Sequence, residues 1–500
     1  MEPKEITADS IERATGISHQ PPNSYLRDIF VVLIIAWAAR LAFVCMVPAG
    51  ARSLDAYAWE HQADLLKSGI NPYQANHLFN WPPLWLQFVF LISKVAGFLN
   101  VSFFRVLQFC LILIESAVII QVMRLIQRIA PAANARAIVI IGIAVNPVAI
   151  LLVCQHCNFD VLMVFWVLLA AASLLRYNAS GDLNDWLCAC LFLGLGILTK
   201  TVPLALIPLL AGGFRKVSAF GRLLGVAFVL GPATLGMSII YALAPSEVLH
   251  NVLEYRANGI YFGFPGFLHS MGMDHFTGCF NVAFYILGIG VMMLTWHYLW
   301  KHHSLGNRET ILYIALALLA VPELGPGFFS QYYYWFLPFL VISYACGDSV
   351  WRKILIGFAI ISALTFILEY GFIGTYGYNF LYILTQAPTA NDLYHIWNTS
   401  PTPTFLAATH WVNWMGSPVN ETIERLPLFV AMLTILAFGA RILTLSLRDV
   451  RTWVVRLVGI YALCVAMVFA AAFGEKCLWP QTPPAGNMTP GQSDANATRN

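Results

Sequence analysis

Apolar residues run along this chain in blocks of mostly about 17–25, separated by short polar breaks, and this spacing predicts membrane-crossing helices. A helix needs about 20 predominantly apolar residues to cross a hydrocarbon core of about 30 Å. None of the blocks shows the period-two alternation of a membrane barrel. The blocks predict spans over 28–49, 104–126, 137–153, 159–175, 186–199, 202–213, 218–243, 280–299, 310–326, 331–346, 354–372, 427–447 and 453–473. The expected fold class is therefore an all-α polytopic membrane protein with about 13 transmembrane helices. The block at 84–99, LWLQFVFLISKVAGFL, follows Pro82-Pro83. Read as a span it would turn Arg124 and Arg128 to the outer face. Read as an interfacial or re-entrant helix it leaves the charge pattern intact.

Composition supports a chain that lives in lipid. Of 500 residues, 59% are hydrophobic and 11% charged, against roughly 25% charged in soluble domains, and the mean hydropathy is +0.70. The net charge of +3 gives no basic surface for nucleic acid. Residues 1–27 are polar and lack the apolar core of a cleaved leader, so the first span is expected to act as its own insertion signal. Most of the ten cysteines fall inside apolar runs, where a thiol behaves as a small hydrophobe. Cys154 and Cys157 form a CxxC with no second pair to complete a metal site, and two packed thiols are expected.

The Lys and Arg clusters alternate with segments poor in both, and one topology satisfies the excess of basic residues in cytoplasmic loops. The N-terminus is inside, 50–103 lies on the outer face, and 244–279 and 373–426 are the other long outer loops. Four regions follow: a cytoplasmic segment 1–27, a transmembrane module 28–346, a second module 347–473, and a polar, Pro-rich tail 474–500 that is expected to be disordered.

Polar chemistry gathers on the outer side. The first outer loop carries Asp55, Glu60, Asp64, Tyr73 and Trp81. A carboxylate there suits a general base that takes a proton from an acceptor hydroxyl; a helix cap or surface acid is the plain structural alternative, and Asp64 and Glu60 compete with Asp55. Lys200, in GILTKTVPLALIPLL, is an ionisable group among apolar residues, which marks a functional candidate unless it snorkels to the interface. It and Arg256 suit a lipid-borne phosphate. Gln155, His156 and Asp160 lie where two spans meet outside, as do Glu323, Gln331, Tyr332 and Trp335, where aromatic belts also form. A transporter would place polar groups near mid-span in matching halves, and Arg40 is the one clear residue of that kind.

Four stretches, taken together, resemble the GT-C superfamily of membrane glycosyltransferases, and within it family 87 and the GPI mannosyltransferases. They are D-x-Y-x-x-x-x-x-A-x-x-L from Asp55 to Leu66 with Gly69–Tyr73 and Asn80–Leu84, then NPVAILLVCQHCNFDVL from Asn146 to Leu162, GILTKTVPLALIPLL, and SQYYYWFLPFL. The resemblance implies a GT-C-type fold whose large first outer loop carries interfacial helices. It also implies inverting transfer of a sugar, most often mannose, from a polyprenyl-phosphate donor to a glycan or glycolipid acceptor. Asp55 would be the base. Lys200 and Arg256 would hold the donor phosphate, and Asp64, Tyr73, Trp81, Gln155, His156, Asp160, Glu323, Gln331 and Tyr332 would contact substrate. The stretch Ser53-Leu54-Asp55 lacks the D-x-D of some relatives, so metal-independent catalysis without a cofactor is expected. The setting would be a bacterial inner membrane with the active site facing the periplasm. A lipid-diphosphate oligosaccharide ligase and a lipid-linked sugar flippase are the alternatives.

Overall fold

The computed structural model describes residues 22–46, 54–75, 81–243, 277–325, 330–368 and 430–443. These residues are helical almost throughout, and the protein is an all-α polytopic membrane protein. The chain enters through α1 (Pro22–Met46). The helices α2 (Leu54–Lys67), α3 (Pro72–Ala75) and α4 (Pro83–Leu99) follow, and then the long α5 (Phe103–Ile129). A bent pair, α6 (Ala135–Ala144) and α7 (Pro147–Gln155), precedes α8 (Asp160–Ser180) and α9 (Leu183–Thr199). A 3-10 turn at Val202–Leu210 leads through α10 (Ala211–Lys216) to α11 (Ala219–Leu243), α12 (Thr277–His302) and α13 (Asn307–Leu324). A second 3-10 turn, Ser330–Trp335, opens α14 (Leu337–Cys346), and α15 (Ser349–Leu368) and α16 (Val430–Leu443) complete the described chain.

Local chemistry sets these boundaries. Pro83 opens α4, and Asn100 closes it in the left-handed conformation at φ 51°, which short polar side chains tolerate better than most. Two residues later the Ser102 hydroxyl caps α5 by accepting from the Arg105 N–H at 3.4 Å. Gly181 ends α8 at φ 71°, and Asp182 caps α9 through the Asn184 N–H at 3.0 Å.

Six of the described helices are long and apolar enough to cross a membrane, seven with the bent pair counted as one span. That is fewer than the thirteen the hydropathy blocks predict. The remaining blocks appear as shorter apolar helices (α9, α14 and α16 among them) or as 3-10 turns, or lie outside the described residues, as 453–473 does. The ambiguous block at 84–99 is one unbroken helix, α4. The bundle is built around α8, whose apolar stretch is 78% buried against only 11% for α11 and α12. Helices α5 and α9 pack along α8, so a side chain at the first turn of α8 sits in the middle of the assembly.

The α6–α7 break is held by a buried ion pair. Asn146 accepts from the Val148 N–H at 2.9 Å, and Pro147 has no N–H to give. The carbonyls of Ile143 and Ala144 thus lose the i+4 donors that a continuous helix would supply. Arg40 of α1 bonds both, Ala144 O and, at 3.2 Å, Ile143 O, which also accepts from the Asn146 N–H at 3.3 Å. Its charge is met by Glu115 of α5 through two contacts, one of them 2.7 Å. Tyr334 donates to the same carboxylate at 3.2 Å. Arg40 and Glu115 are almost wholly buried, so the mid-span arginine that a transport path would use is bound in a structural network.

Removing one partner of such a pair strands the other charge. Glu115→Ala is expected to destabilise by about 3–5 kcal/mol. Arg40→Met combined with Glu115→Leu should recover much of that while staying below wild type, because the Ala144 carbonyl loses the Arg40 donor. Thermal unfolding midpoints in detergent measure both. A double variant as unstable as Glu115→Ala would show that stranded charge is not the cause.

Candidate active site

Four segments distant in sequence converge at the N-terminal end of α8. Asp55 sits in the first turn of α2, where a carboxylate also favours the helix dipole. Its Oδ2 lies 2.9 Å from Nε2 of His156, which follows the π-helical end of α7. The imidazole is fully buried, while the Asp55 side chain keeps 25% of its surface open. That is the exposure a base needs if it is to meet a substrate. The chain then reverses sharply. Cys157 adopts φ 57°, Asn158 accepts from the Asp160 N–H at 2.8 Å, and α8 begins. A non-glycine residue in the left-handed region persists only where its surroundings over-determine it, and π-helical turns recur at functional sites. This reversal carries His156 and Asp160 on either side of Phe159.

Asp160 is wholly buried and fully partnered. Lys200 brings its ammonium within 2.8 and 2.9 Å of the two carboxylate oxygens, and the Trp335 indole N–H donates to Oδ2 at 2.6 Å. Lys200 lies in the extended connection between α9 and the 3-10 turn, outside the apolar helices. Its ammonium stands over three rings, Tyr332 at 4.2 Å, Trp335 at 4.7 Å and Phe159 at 5.2 Å, and desolvated cation–π contacts of this kind favour the charged form. Burial pulls the lysine pKa below its ordinary value. The adjacent Asp160 opposes this most strongly, with a further contribution from Asp55. The hydrogen-bonded pair Asp55–His156 and the ion pair Asp160–Lys200 thus share one electrostatic site.

The 3-10 turn positions this centre residue by residue. Tyr332 stacks on Trp335 at 4.2 Å, Tyr333 bonds Ser362 of α15, Tyr334 bonds Glu115, and Trp335 bonds Asp160. On the other side an aromatic wall joins α2 and the start of α4 to the site. Trp59 packs on Trp81 at 4.3 Å and on Trp85 and Phe159 at 5.5 Å each, and Tyr73 donates to Trp81 O at 2.8 Å.

No protein-family model matches this chain, and no curated protein does. Among solved structures, the crystal structure of ArnT from Cupriavidus metallidurans bound to undecaprenyl phosphate is similar, at a TM-score of 0.46 and 14% identity. The match covers 84% of this chain and 77% of that one.

Of the residues singled out in the sequence, Asp55, His156, Asp160, Lys200 and Tyr332 come together. Trp81 and Tyr73 belong to the aromatic wall, and Gln155 is half-buried at the end of α7. Asp64 does not join them. It lies nine residues after Asp55, about half a turn round α2 by helical geometry, and pairs on the surface with Lys67 at 3.1 Å. Glu323 is fully buried near the end of α13 with neither carboxylate oxygen bonded. Gln331 lies in the 3-10 turn, but its side chain falls outside the described residues, as does Arg256 entirely. Cys154 and Cys157 are buried free thiols, and among the described residues no cluster of His, Cys, Asp and Glu is arranged to hold a metal. Sequence reading passed over Glu115 and the Asp160 bond of Trp335. Glu115 had a signal, being an acid in the middle of the apolar run LILIESAVII, where ionisable groups are rare.

Because Asp160 sustains the charge on Lys200, Asp160→Asn should lower the lysine pKa further. The neutral amine then becomes reactive at lower pH. The pH midpoint for acylation of Lys200, followed by peptide mass spectrometry, is expected to move down. An unmoved midpoint would mean that the aromatic box alone holds the ammonium.

Proposed function

We propose that the protein is a GT-C-type membrane glycosyltransferase that transfers a sugar, with mannose favoured, from a polyprenyl-phosphate donor to an acceptor hydroxyl on the outer face. The observation that carries this reading is the convergence of a solvent-open carboxylate on a buried imidazole beside an aromatic-boxed lysine. Inverting transfer needs a base on one face of the anomeric carbon and charge relief for the leaving group on the other. Asp55 serves as the base: it takes the acceptor proton while the hydroxyl oxygen attacks the anomeric carbon. His156 holds the carboxylate in position and spreads the developing charge. The bond from the anomeric carbon to the phosphate oxygen breaks, and the polyprenyl phosphate leaves toward Lys200. Asp160 and the three rings keep that ammonium charged and in place, and Arg256 stands as a second phosphate ligand.

Glu323 suits hydroxyl recognition on the donor sugar, since a buried carboxyl without a partner has its full hydrogen-bonding capacity to offer. Tyr73, Trp81, Gln155, Gln331 and Tyr332 complete the substrate contacts of this reading. The ordered motifs from Asp55 to Leu340 support the same family, and the helices α2, α3 and α4 between the first and second long spans accord with its first outer loop. The reaction needs no metal, the partners are lipid donor, glycan acceptor and bilayer, and the setting is a bacterial inner membrane with the site facing the periplasm. Against the flippase alternative stands Arg40, whose charge is bound to Glu115 and two carbonyls.

The decisive experiment follows sugar transfer by purified protein in lipid nanodiscs from a synthetic polyprenyl-phosphate mannose. Asp55→Asn is expected to reduce kcat by at least about 10²–10⁴-fold, the usual contribution of a positioned base, with an unchanged unfolding midpoint. Lys200→Ala should weaken donor use. Turnover that survives Asp55→Asn would remove Asp55 from the base role, and absence of turnover with movement of lipid-linked sugar across liposomes would favour the flippase.

A further inference from the structure

The reversal from α7 into α8 carries His156 to Asp55, and it runs through a strained point. Cys157 is fully buried and takes φ 57°, a region where Cβ crowds the following carbonyl. The backbone around it also rearranges its hydrogen bonds. The His156 N–H bonds Leu151 O and the Asn158 N–H bonds Leu152 O, at 2.9 Å each. In a continued α-helix that Asn158 N–H would serve Cys154 O. The turn therefore passes over the Cys154 carbonyl inside the core, where an acceptor needs a donor.

Gln108 of α5 supplies one. It is 1% exposed, and its Nε2 donates to Cys154 O. Its Oε1 accepts from Arg105 Nη1 at 2.9 Å. Arg105, one turn earlier on α5, is itself anchored on Val44 O near the end of α1, also at 2.9 Å. A guanidinium can only donate, so it holds the amide oxygen on its own side and leaves the NH2 aimed at Cys154. The Cys157 thiol reaches the same carbonyl at 4.0 Å, but a thiol is a weak donor. A chain of bonds thus runs from α1 through Arg105 and Gln108 to a carbonyl two residues before His156.

We infer that Gln108 is a positioning residue of this site: by holding Cys154 O it keeps residue 157 in its left-handed conformation and the His156 imidazole in register with Asp55. Its part in turnover rests on the transferase reading, whereas its hold on His156 does not. The Asp160–Lys200 pair gains its other contacts from the connection after α9 and from the second 3-10 turn, so donor-phosphate binding is independent of Gln108.

Two substitutions separate the donor from the rest of the side chain. Gln108→Met removes the amide at similar length. Gln108→Glu keeps a partner for Arg105 but, as a carboxylate, has no hydrogen for Cys154 O. With polyprenyl-phosphate mannose in nanodiscs, both are expected to lower kcat about 10–100-fold, the scale of a misplaced catalytic group, with donor KM at its wild-type value. Cys157→Gly relieves the backbone strain, so in that background Gln108→Met should cost about tenfold less than in the wild-type background. Wild-type kcat in Gln108→Glu, a loss carried by donor KM, or equal losses in the two backgrounds would overturn the inference. If the wild type consumes no phosphoprenyl sugar, the transferase reading has failed, and chemical labelling still decides the position of His156. Its buried imidazole should react slowly with diethyl pyrocarbonate, followed by peptide mass spectrometry. In Gln108→Met the rate is expected to rise about tenfold as the reversal opens more readily, and an unchanged rate removes Gln108 from the role.

Discussion

A carboxylate buried among apolar helices must find a cation and hydrogen-bond donors, because leaving it alone costs far more than the fold can spare. Asp160 is the residue on which this constraint falls, and the bundle arranges itself around the solution. It begins the most buried of the spanning-length helices, and its two oxygens bring in Lys200 from the end of α9 and Trp335 from the second 3-10 turn. Those three elements have no reason in sequence to meet. Once they do, the ring faces of Tyr332, Trp335 and Phe159 close around the ammonium. A cation is then fixed in a sheltered place beside Asp55, the carboxylate of the group that keeps some of its surface open.

The Arg40–Glu115 pair meets the same constraint deeper in the bundle, with a different purpose. It repairs the backbone where Asn146 and Pro147 break the helix, and through Tyr334 it reaches the same 3-10 turn that supplies Trp335. The break is useful because it ends α7 at His156 and lets the chain reverse through Cys157 into Asp160. Two buried ion pairs therefore bracket the reversal, one supporting the backbone that makes it and the other using the side chains it presents. The proposed chemistry asks for this rigidity, since a base and a leaving-group cation are effective only when held in place before substrate arrives.

Much of this was legible in the residues themselves. The apolar blocks placed most helix positions closely, including α4 after its proline pair, because hydrocarbon thickness fixes helix length and proline and glycine fix the ends. The polar clusters in Asp55–Trp81, Gln155–Asp160, around Lys200 and in Gln331–Trp335 were visible as exceptions in an apolar chain, where each ionisable group needs a reason. Asp64 shows the limit of that reasoning. In sequence it is as good a carboxylate as Asp55, and only its angle round α2, about half a turn away, sends it to the surface with Lys67.

What the sequence determined alone was the class of protein, the approximate length and place of its helices, and a short roster of polar groups that lipid would not tolerate without purpose. These follow from local composition and from spacing along a single helix. The tertiary structure decided which groups meet: Asp55 with His156, Asp160 with Lys200 and Trp335, and Arg40 with Glu115, pairs separated by 40 to 175 residues. It also decided that α9 and α14 fall short of spanning length and that the α6–α7 span is bent. The physical reason is that pairing depends on helix rotation and crossing, which the packing of whole faces sets, and no local pattern of apolar and polar positions records which face will meet which.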